Sequence, residues 1–191
     1  DGLLHKNAVI LRPEDLLPAL LDGAELCWGR SGPESLEGTD FDAIIFADGW
    51  RMQTRFGWLG LKGRAGQVSH MRADIDAPAS ALASGHYALA SGRDRLWGAT
   101  YRDHKGGAPH ALDEDEVENR AALEALNPYW RHAALSGQVE ARAGVRSTTP
   151  DRLPIIGRVP DFEAILESHA GLRQGVSVEG DLKRLEGQYL V

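Results

Sequence analysis

Residues 143–157 read AGVRSTTPDRLPIIG, and they predict a strand, a tight turn and a short apolar return segment. The alternating residues 138–143 lead into this stretch with the period of two that is typical of a strand. Gly144 removes a side chain, which lets another backbone or a flat ligand approach. Pro150 fixes its own φ and favours a turn. We therefore expect this stretch to form a wall of a ligand site.

Arg146 is the candidate binding residue of this stretch. A guanidinium is a fixed cation whose planar donor fork matches a carboxylate. The alternative interpretation is structural, with Arg146 capping a surface turn or pairing with a nearby acid. For the arginine alone, the sequence leaves both interpretations open.

The composition is that of an ordinary globular chain with enough residues for one good core or two small ones. The chain has 191 residues, of which 42% are hydrophobic and 26% are charged. Its net charge of -7 argues against its being the main RNA-gripping surface of a protein. Cys27 is the only cysteine, so an intrachain disulfide is excluded and a cytoplasmic location is expected. No apolar run reaches the length of a membrane span.

The pattern along the chain predicts an α+β fold, with a mixed, largely antiparallel sheet and helices packed on one face. The segments expected to be strands are residues 7–11, 24–28, 41–49, 67–71, 87–90, 96–101, 139–147 and 188–191. Residues 91–94 supply the turn of a hairpin. Helices are expected after Pro13, after Asp113 and at residues 161–169. Asp113 is predicted to be an N-cap, with Glu116 completing a capping box.

The polar side chains outside residues 143–157 predict no metal site. His104, His110 and Asp113 lack a defined ligand spacing, so we expect no metal to bind there. His70 lies on a predicted strand, where it is either a proton acceptor or a half-exposed strand histidine.

Several strings of this sequence resemble one enzyme family. GVRSTTPDRLPIIG at residues 144–157, RAGQVSHM at residues 64–71 and GATY at residues 98–101 resemble the FAD-dependent oxidoreductases of the D-amino-acid oxidase and glycine oxidase superfamily. Within that superfamily, the strings are most similar to the oxidoreductase domains of bacterial bifunctional enzymes that make 5-methylaminomethyl-2-thiouridine in tRNA.

The resemblance implies roles for six residues. The residues implied to bind substrate are Arg146, Tyr101 and Gln67, and the residues implied to lie near FAD are Ala47, Gly49 and Gly157. Cross-strand packing is the alternative role for Tyr101. A plain core strand is the alternative for the segment that ends in Ala47 and Gly49.

The family's glycine-rich FAD-binding motif has no match in this sequence. Such a motif is a strand, G-x-G-x-x-G and a helix, and residues 60–66 have glycines at another spacing without the preceding hydrophobic strand. We therefore expect an excised middle portion of an oxidoreductase. Residues 1–60 would be a remnant linking to the FAD-binding domain, and residues 61–191 a substrate-binding sheet domain.

The resemblance implies that the intact enzyme removes a carboxymethyl group from a secondary amine by oxidation. Its substrate would be a modified wobble uridine of tRNA, and FAD would carry the redox chemistry. The alternative substrates are free glycine, sarcosine or D-amino acids. The alternative of another class is a non-catalytic binding or interaction module, since an isolated portion without the FAD motifs should be inactive.

Overall fold

In the computed structural model, which describes residues 8–33, 37–74, 81–126, 138–178 and 180–191, the strands form two sheets. The chain also divides into two compact units that interleave along the sequence. Unit 1 comprises Asp1–Cys27 and Gly63–Arg146, and unit 2 comprises Trp28–Lys62 and Ser147–Val191. These units divide the chain differently from the predicted boundary after residue 60, because unit 2 takes segments from both sides of it.

The helices and strands of the described residues are numbered here in chain order. The strands are β1 (Ile44–Phe46), β2 (Lys62–Arg72), β3 (Leu82–Ser84), β4 (His86–Ser91), β5 (Asp94–Gly98), β6 (Arg102–Asp103), β7 (Glu140–Thr148), β8 (Gly157–Pro160) and β9 (Arg184–Leu190). The α-helices are α1 (Pro13–Leu20), α2 (Met52–Arg55), α3 (Asp113–Leu126) and α4 (Phe162–Ser168). None of these helices is both long enough and apolar enough to cross a membrane.

Unit 1 is organised around a sheet in which strands that are close in sequence pair antiparallel. The strand order is β3-β4-β5-β2-β6, and β7 pairs with β2. β4 and β5 form the predicted hairpin, closed by the pair Ser91 and Asp94. Helix α3 packs on one face, where Leu123 joins Trp97 and Met71 in the core. The predicted α+β class, with a largely antiparallel sheet and a helix on one face, is therefore confirmed.

Unit 2 contains a smaller sheet in the order β1-β9-β8. β1 runs parallel to β9, and β8 runs antiparallel to it. Phe46, Phe56, Val159 and Leu190 are buried in its core. The rings of Phe46 and Phe56 meet edge to face, with their centroids 5.2 Å apart. Apolar residues from both ends of the unit's sequence thus form one core.

Some predicted strand segments are wrong. Residues 8–11 and 24–28 form no strand, and residue 7 lies outside the described residues. β1 is shorter than the predicted 41–49, and β5 ends at Gly98, so Tyr101 follows the strand and is not in it. A strand needs a neighbour that takes up its backbone donors and acceptors. No described strand pairs with residues 8–11 or 24–28.

The helices also depart from the prediction in detail. α1 begins at Pro13, as predicted, but its apolar residues Leu17 and Leu20 are exposed, so its apolar face meets no described core. α3 begins at Asp113, so this residue lies in the first turn and the predicted capping box is wrong. The Glu116 carboxylate is turned to the sheet instead, where it accepts a 2.6 Å hydrogen bond from Ser69 Oγ.

Candidate functional site

The two faces of the unit 1 sheet differ in chemistry. Gln67, Ser69 and Met71 of β2 lie on the face that α3 covers. Gly66 and His70 alternate with them along β2, so they belong to the opposite face. The candidate site lies on this opposite face, where β7 runs beside β2.

Arg146 lies on β7 with its guanidinium beside Gly66. A Cβ atom added to Gly66 would lie 3.6 Å from Arg146 Nη1 and only 2.5 Å from the carbonyl oxygen of Thr100. A side chain at position 66 would therefore collide with this carbonyl and crowd the guanidinium. Arg146 is exposed, and it makes no hydrogen bond or ion pair within the described parts of the chain. Its donors are thus available to a ligand.

The close backbone approach that the sequence predicted at Gly144 occurs at Gly66. A Cβ atom added to Gly144 would meet nothing within 4 Å, so Gly144 leaves open space on β7. The packed neighbour of Gly66 is Thr100, which lies on another segment of the chain. Only the folded structure brings these two segments together.

Tyr101 lies beside a second arginine, Arg64, which belongs to β2. The guanidinium carbon of Arg64 is 5.4 Å from the centre of the Tyr101 ring, in a cation–π contact. Arg64 also pairs with Asp103. Tyr101 is 56% exposed, so its ring is available to a ligand. The role of Tyr101 in substrate binding stays a prediction. The sequence did not reveal that the Arg64 side chain points to Tyr101 and Asp103.

Gln67 is fully buried on the α3 side of the sheet. Its side-chain Nε2 donates to the Leu112 carbonyl at 3.2 Å, and its Oε1 accepts from the Leu112 amide at 2.7 Å. Both polar atoms of the amide therefore hold the segment that leads into α3. The implied role of Gln67 in substrate binding stays a prediction, while this geometry gives its side chain a structural role.

A buried polar layer lies beneath the candidate site. Asn119 of α3 donates from Nδ2 to the Gln67 carbonyl at 3.0 Å and to Ser69 Oγ at 3.2 Å. Asp115, one turn earlier, accepts a 2.6 Å hydrogen bond from Arg102. Sequence reasoning missed this layer. The available signal was the spacing of Asp115, Asn119 and Leu123, which puts them on one helix face.

A second charged cluster surrounds Asp94 on the face that carries His70. His70 Nε2 lies 3.2 Å from Asp94 Oδ1, and Arg72 Nε lies 3.5 Å from the same oxygen. Arg12 Nη2 lies 3.6 Å from the other carboxylate oxygen. The hydrogen bond from His70, helped by the charges of Arg72 and Arg12, holds the pKa of Asp94 below its ordinary value. The described residues contain no group of side chains suited to a metal ion.

Two of the residues implied to lie near FAD, Ala47 and Gly157, lie at the same edge of the unit 2 sheet. Phe46 pairs with Leu190, and Leu190 pairs with Gly157, so these residues form one row across the strands. Ala47 directly follows this row, which ends the parallel strands β1 and β9. Ligands of α/β sheets commonly bind at the carboxyl ends of parallel strands.

The glycines at this edge leave the space open. Gly49 has a φ of 57°, and a Cβ atom added to Gly49 or to Gly157 would meet nothing within 4 Å. The backbone at these two glycines is therefore uncovered. None of the described residues forms a glycine-rich pyrophosphate loop.

Comparison with known proteins assigns the family. The model of the family described as FAD dependent oxidoreductase matches residues 1–177. The fold is similar to that of glycine oxidase from Geobacillus kaustophilus, with a TM-score of 0.55 and 20% identity over 78% of this chain and 35% of that one. It is also similar to that of iminodiacetate oxidase from Chelativorans sp. BNC1, with a TM-score of 0.53 and 22% identity over 78% of this chain and 46% of that one. The chain thus spans less than half the length of either structure.

Proposed function

The chain belongs to the FAD-dependent oxidoreductase family, and we propose that it carries the substrate-binding face of an enzyme that oxidises an amine bearing a carboxylate. Arg146 holds the carboxylate in this proposal. The observation that carries it is the exposed guanidinium beside Gly66, which has no ion pair or hydrogen bond within the described chain. A bidentate contact from arginine would give the substrate both a charge partner and a direction.

The mechanism requires little covalent chemistry from this chain. When bound, FAD would supply the hydride acceptor for the C–H bond beside the amine nitrogen. After hydrolysis by water, the products would be glyoxylate and the shortened amine when the lost group is carboxymethyl. Arg146 fixes the carboxylate during this reaction, and the exposed ring of Tyr101 covers part of the substrate. The resemblance implies that Ala47, Gly49 and Gly157 lie near the flavin.

We further propose that the substrate is the carboxymethylaminomethyl group of a wobble uridine in tRNA. The strings GQVSH at residues 66–70 and GVRSTTPD at residues 144–151 support this, because they resemble the tRNA-modifying branch of the family. Because this chain has a net charge of -7, we expect another part of the enzyme to bind the phosphate backbone of the tRNA.

A second candidate is an oxidase of free glycine, sarcosine or D-amino acids. The similar structures favour it, because their names describe enzymes acting on glycine and on iminodiacetate. Both candidates use the same carboxylate contact, so the Arg146 geometry does not choose between them. A third candidate is a non-catalytic binding or interaction module, because none of the described residues forms a glycine-rich pyrophosphate loop.

A substrate comparison separates these candidates. The complete FAD-loaded oxidoreductase that contains this chain would be incubated with tRNA carrying 5-carboxymethylaminomethyluridine, with glycine, with sarcosine and with D-alanine. Glyoxylate release from the tRNA, at a kcat/KM well above that for the free amino acids, is the expected result. Preferential oxidation of a free amino acid would replace the tRNA proposal with the second candidate. No oxidation of any of them would favour the binding module.

A further inference from the structure

We propose that Arg102, together with its buried partner Asp115 on α3, is a positioning residue that holds the Tyr101 ring in place at the substrate site. The inference rests on the proposed function, in which this ring covers part of the substrate. All three residues lie in unit 1. Arg102 touches no substrate in this proposal and acts through Tyr101.

The ring of Tyr101 is exposed, although the residue before it is buried. Tyr101 is 56% exposed, and Thr100 is 1% exposed. The Tyr101 hydroxyl makes no hydrogen bond within the described parts of the chain, and the ring contacts the guanidinium of Arg64. An exposed side chain with so few contacts can meet a ligand in one orientation only if its backbone is held by other residues.

The residues on either side of Tyr101 both face α3. Thr100 Oγ1 accepts a 3.0 Å hydrogen bond from the Gln67 amide, and the Thr100 amide donates to the Gln67 carbonyl at 3.2 Å. The Arg102 side chain reaches the carboxylates of α3. Because side chains alternate in an extended segment, Tyr101 turns to the opposite face of the sheet. Tyr101 is therefore fixed from both sides by residues that do not share its face.

The segment that carries Tyr101 runs directly beside the Arg146 guanidinium. Both the Thr100 carbonyl oxygen and Arg146 Nη1 lie within 3.6 Å of the Cβ position of Gly66. This carbonyl belongs to the peptide group that leads into Tyr101. A shift of the segment would therefore change where the ring lies relative to a carboxylate bound by Arg146.

Each nitrogen of the Arg102 guanidinium faces a different carboxylate of α3. Nε lies 2.6 Å from Asp115 Oδ1, Nη2 lies 3.1 Å from Glu118 Oε2, and Nη1 lies 3.7 Å from Glu114 Oε1. Asp115 is buried, whereas Glu114 and Glu118 are exposed. Exposed ion pairs contribute little, but a short hydrogen bond from arginine to a buried carboxylate has a fixed direction. The contact with Asp115 is therefore the main anchor.

The backbone alone holds this segment weakly. β6 consists of the two residues Arg102 and Asp103, which pair with Ala65 and Arg64 of β2. A strand this short has few backbone hydrogen bonds, so its placement depends on the side-chain anchor. A buried ion pair often adds no net stability over apolar residues of the same volume. We therefore assign the Arg102–Asp115 pair to the geometry of the site.

The test is a double-mutant cycle in the complete FAD-loaded oxidoreductase, with glyoxylate release measured from tRNA carrying 5-carboxymethylaminomethyluridine and from sarcosine. Arg102→Lys keeps the charge and loses the planar fork. For the substrate that the enzyme oxidises, it should lower kcat/KM about tenfold, because the ring is misplaced. Asp115→Asn, which breaks the same pair from the other side, should have a similar effect. In a Tyr101→Ala background, Arg102→Lys should lower kcat/KM by less than about twofold.

Fluorine NMR of enzyme labelled with 3-fluorotyrosine follows the ring itself. The Tyr101 signal is assigned by its absence from Tyr101→Phe. It should shift in Arg102→Lys, while the signals of the other tyrosines keep their positions. A contribution of Arg102 to overall stability alone would leave every tyrosine signal of the folded enzyme in place.

Arg120→Lys is the matched control, because it changes an arginine–carboxylate pair within α3 itself, between Arg120 and Glu116 at 2.7 Å. It should leave kcat/KM within about twofold and the Tyr101 signal unmoved. An unmoved Tyr101 signal in Arg102→Lys would overturn the positioning role. Equal losses with and without Tyr101, or an unchanged kcat/KM in Tyr101→Ala, would also overturn it. Failure of the proposed function would appear separately, as no oxidation of either substrate by the unmutated enzyme, and the inference would fall with it.

Discussion

The guanidinium of Arg146 allows the proposed function to be tested with a single side chain. In the complete enzyme, Arg146→Ala should lower kcat/KM for an amine carrying a carboxylate by an amount on the order of several kcal/mol, because the carboxylate loses its charged partner. Arg146→Lys should recover part of this loss, since it keeps the charge without the planar fork. Steady-state kinetics with sarcosine and with N-methylpropylamine, which lacks the carboxylate, measures both effects.

The flavin content of both Arg146 variants should equal that of the unmutated enzyme, because Arg146 is assigned to substrate. Arg173→Ala gives a control for the loss of an exposed arginine. An Arg146→Ala variant that slows both amines equally, or neither, would contradict the carboxylate contact and favour a structural role for this residue.

Gly66 and Gly144 form a matched pair for a test of packing. Gly66→Ala should lower the free energy of unfolding by about 1–3 kcal/mol, because its Cβ would lie 2.5 Å from the Thr100 carbonyl oxygen. Gly144→Ala should change it by less than about 1 kcal/mol, since nothing lies within 4 Å of the added atom. Urea unfolding of the two variants checks the difference, and equal effects would contradict the crowding at Gly66.

The sequence revealed some of these residues and concealed others for a physical reason. The place of Arg146 on a strand was predictable because the alternating pattern is local, while its role in binding substrate stays a prediction. The role of Gly66 was not, because the carbonyl that excludes a side chain there belongs to Thr100, far along the chain. Asn119 was concealed in the same way, since its partners Gln67 and Ser69 lie on a distant strand.

At the scale of elements, the contact between α3 and β2 depends on Asn119. Asn119→Ala should lower the free energy of unfolding by about 1–3 kcal/mol, because it leaves the buried Gln67 carbonyl and Ser69 hydroxyl without this donor. Val117→Ala, at an exposed position of the same helix, should change it by less than about 0.5 kcal/mol. Chemical denaturation measures both changes. An Asn119→Ala variant with an unchanged free energy of unfolding would contradict the stabilising role assigned to these hydrogen bonds.

The pairing of Asp94 on β5 with His70 on β2 predicts a pH dependence of stability. The folded state lowers the pKa of Asp94, so the ionised carboxylate stabilises the fold. This contribution is fully present above the ordinary pKa of an aspartate, about 4. That contribution is lost as the pH falls through the lowered folded pKa. Asp94→Asn should therefore be less stable than the unmutated chain at pH 6, and the difference should shrink below about pH 4.

Urea unfolding at a series of pH values follows this difference. Asp181→Asn is a suitable control, because Asp181 is exposed. A difference between Asp94→Asn and the unmutated chain that stays constant from pH 6 to pH 3 would contradict the proposed ion pairing.

The elements differ in how well their sequence predicts them. The hairpin β4–β5 was predictable because turn residues lie between two alternating runs. Residues 24–28 look like a strand but form none, because an apolar run becomes a strand only where another strand pairs with it. The leucines of α1 lie on one helix face, but helical period alone does not say what will cover that face.

At the scale of the whole molecule, the described elements predict weak FAD binding by this chain alone. None of the described residues forms the strand, glycine-rich turn and helix that hold a pyrophosphate. We expect this chain on its own to bind FAD with a dissociation constant weaker than about 1 μM. A fluorescence titration of FAD into the purified chain measures this, with the complete oxidoreductase as the positive control. Tighter binding by the chain alone would restore a catalytic role to it.

The division into units could not be read from the sequence. The predicted boundary after residue 60 rested on the family resemblance, which separates a remnant of the FAD-binding domain from the substrate-binding sheet domain. The observed units depend on pairing between β1 and β9, which lie far apart in the sequence. Such pairing follows from the complete fold and leaves no local pattern in either strand.

The central position of β9 also bears on how the protein is made. β1 is synthesised early and β8 follows later, but both must wait for β9, which pairs with each of them. At the usual rate of translation, roughly 7–30 s separate the appearance of Phe46 from that of Leu190. Over that interval the ribosome carries a nascent chain whose unit 1 hairpins can already close, while the apolar side chains of β1 have no sheet to join. The synthesis of β9 therefore sets the earliest moment at which the sheet of unit 2 can form and bury these side chains.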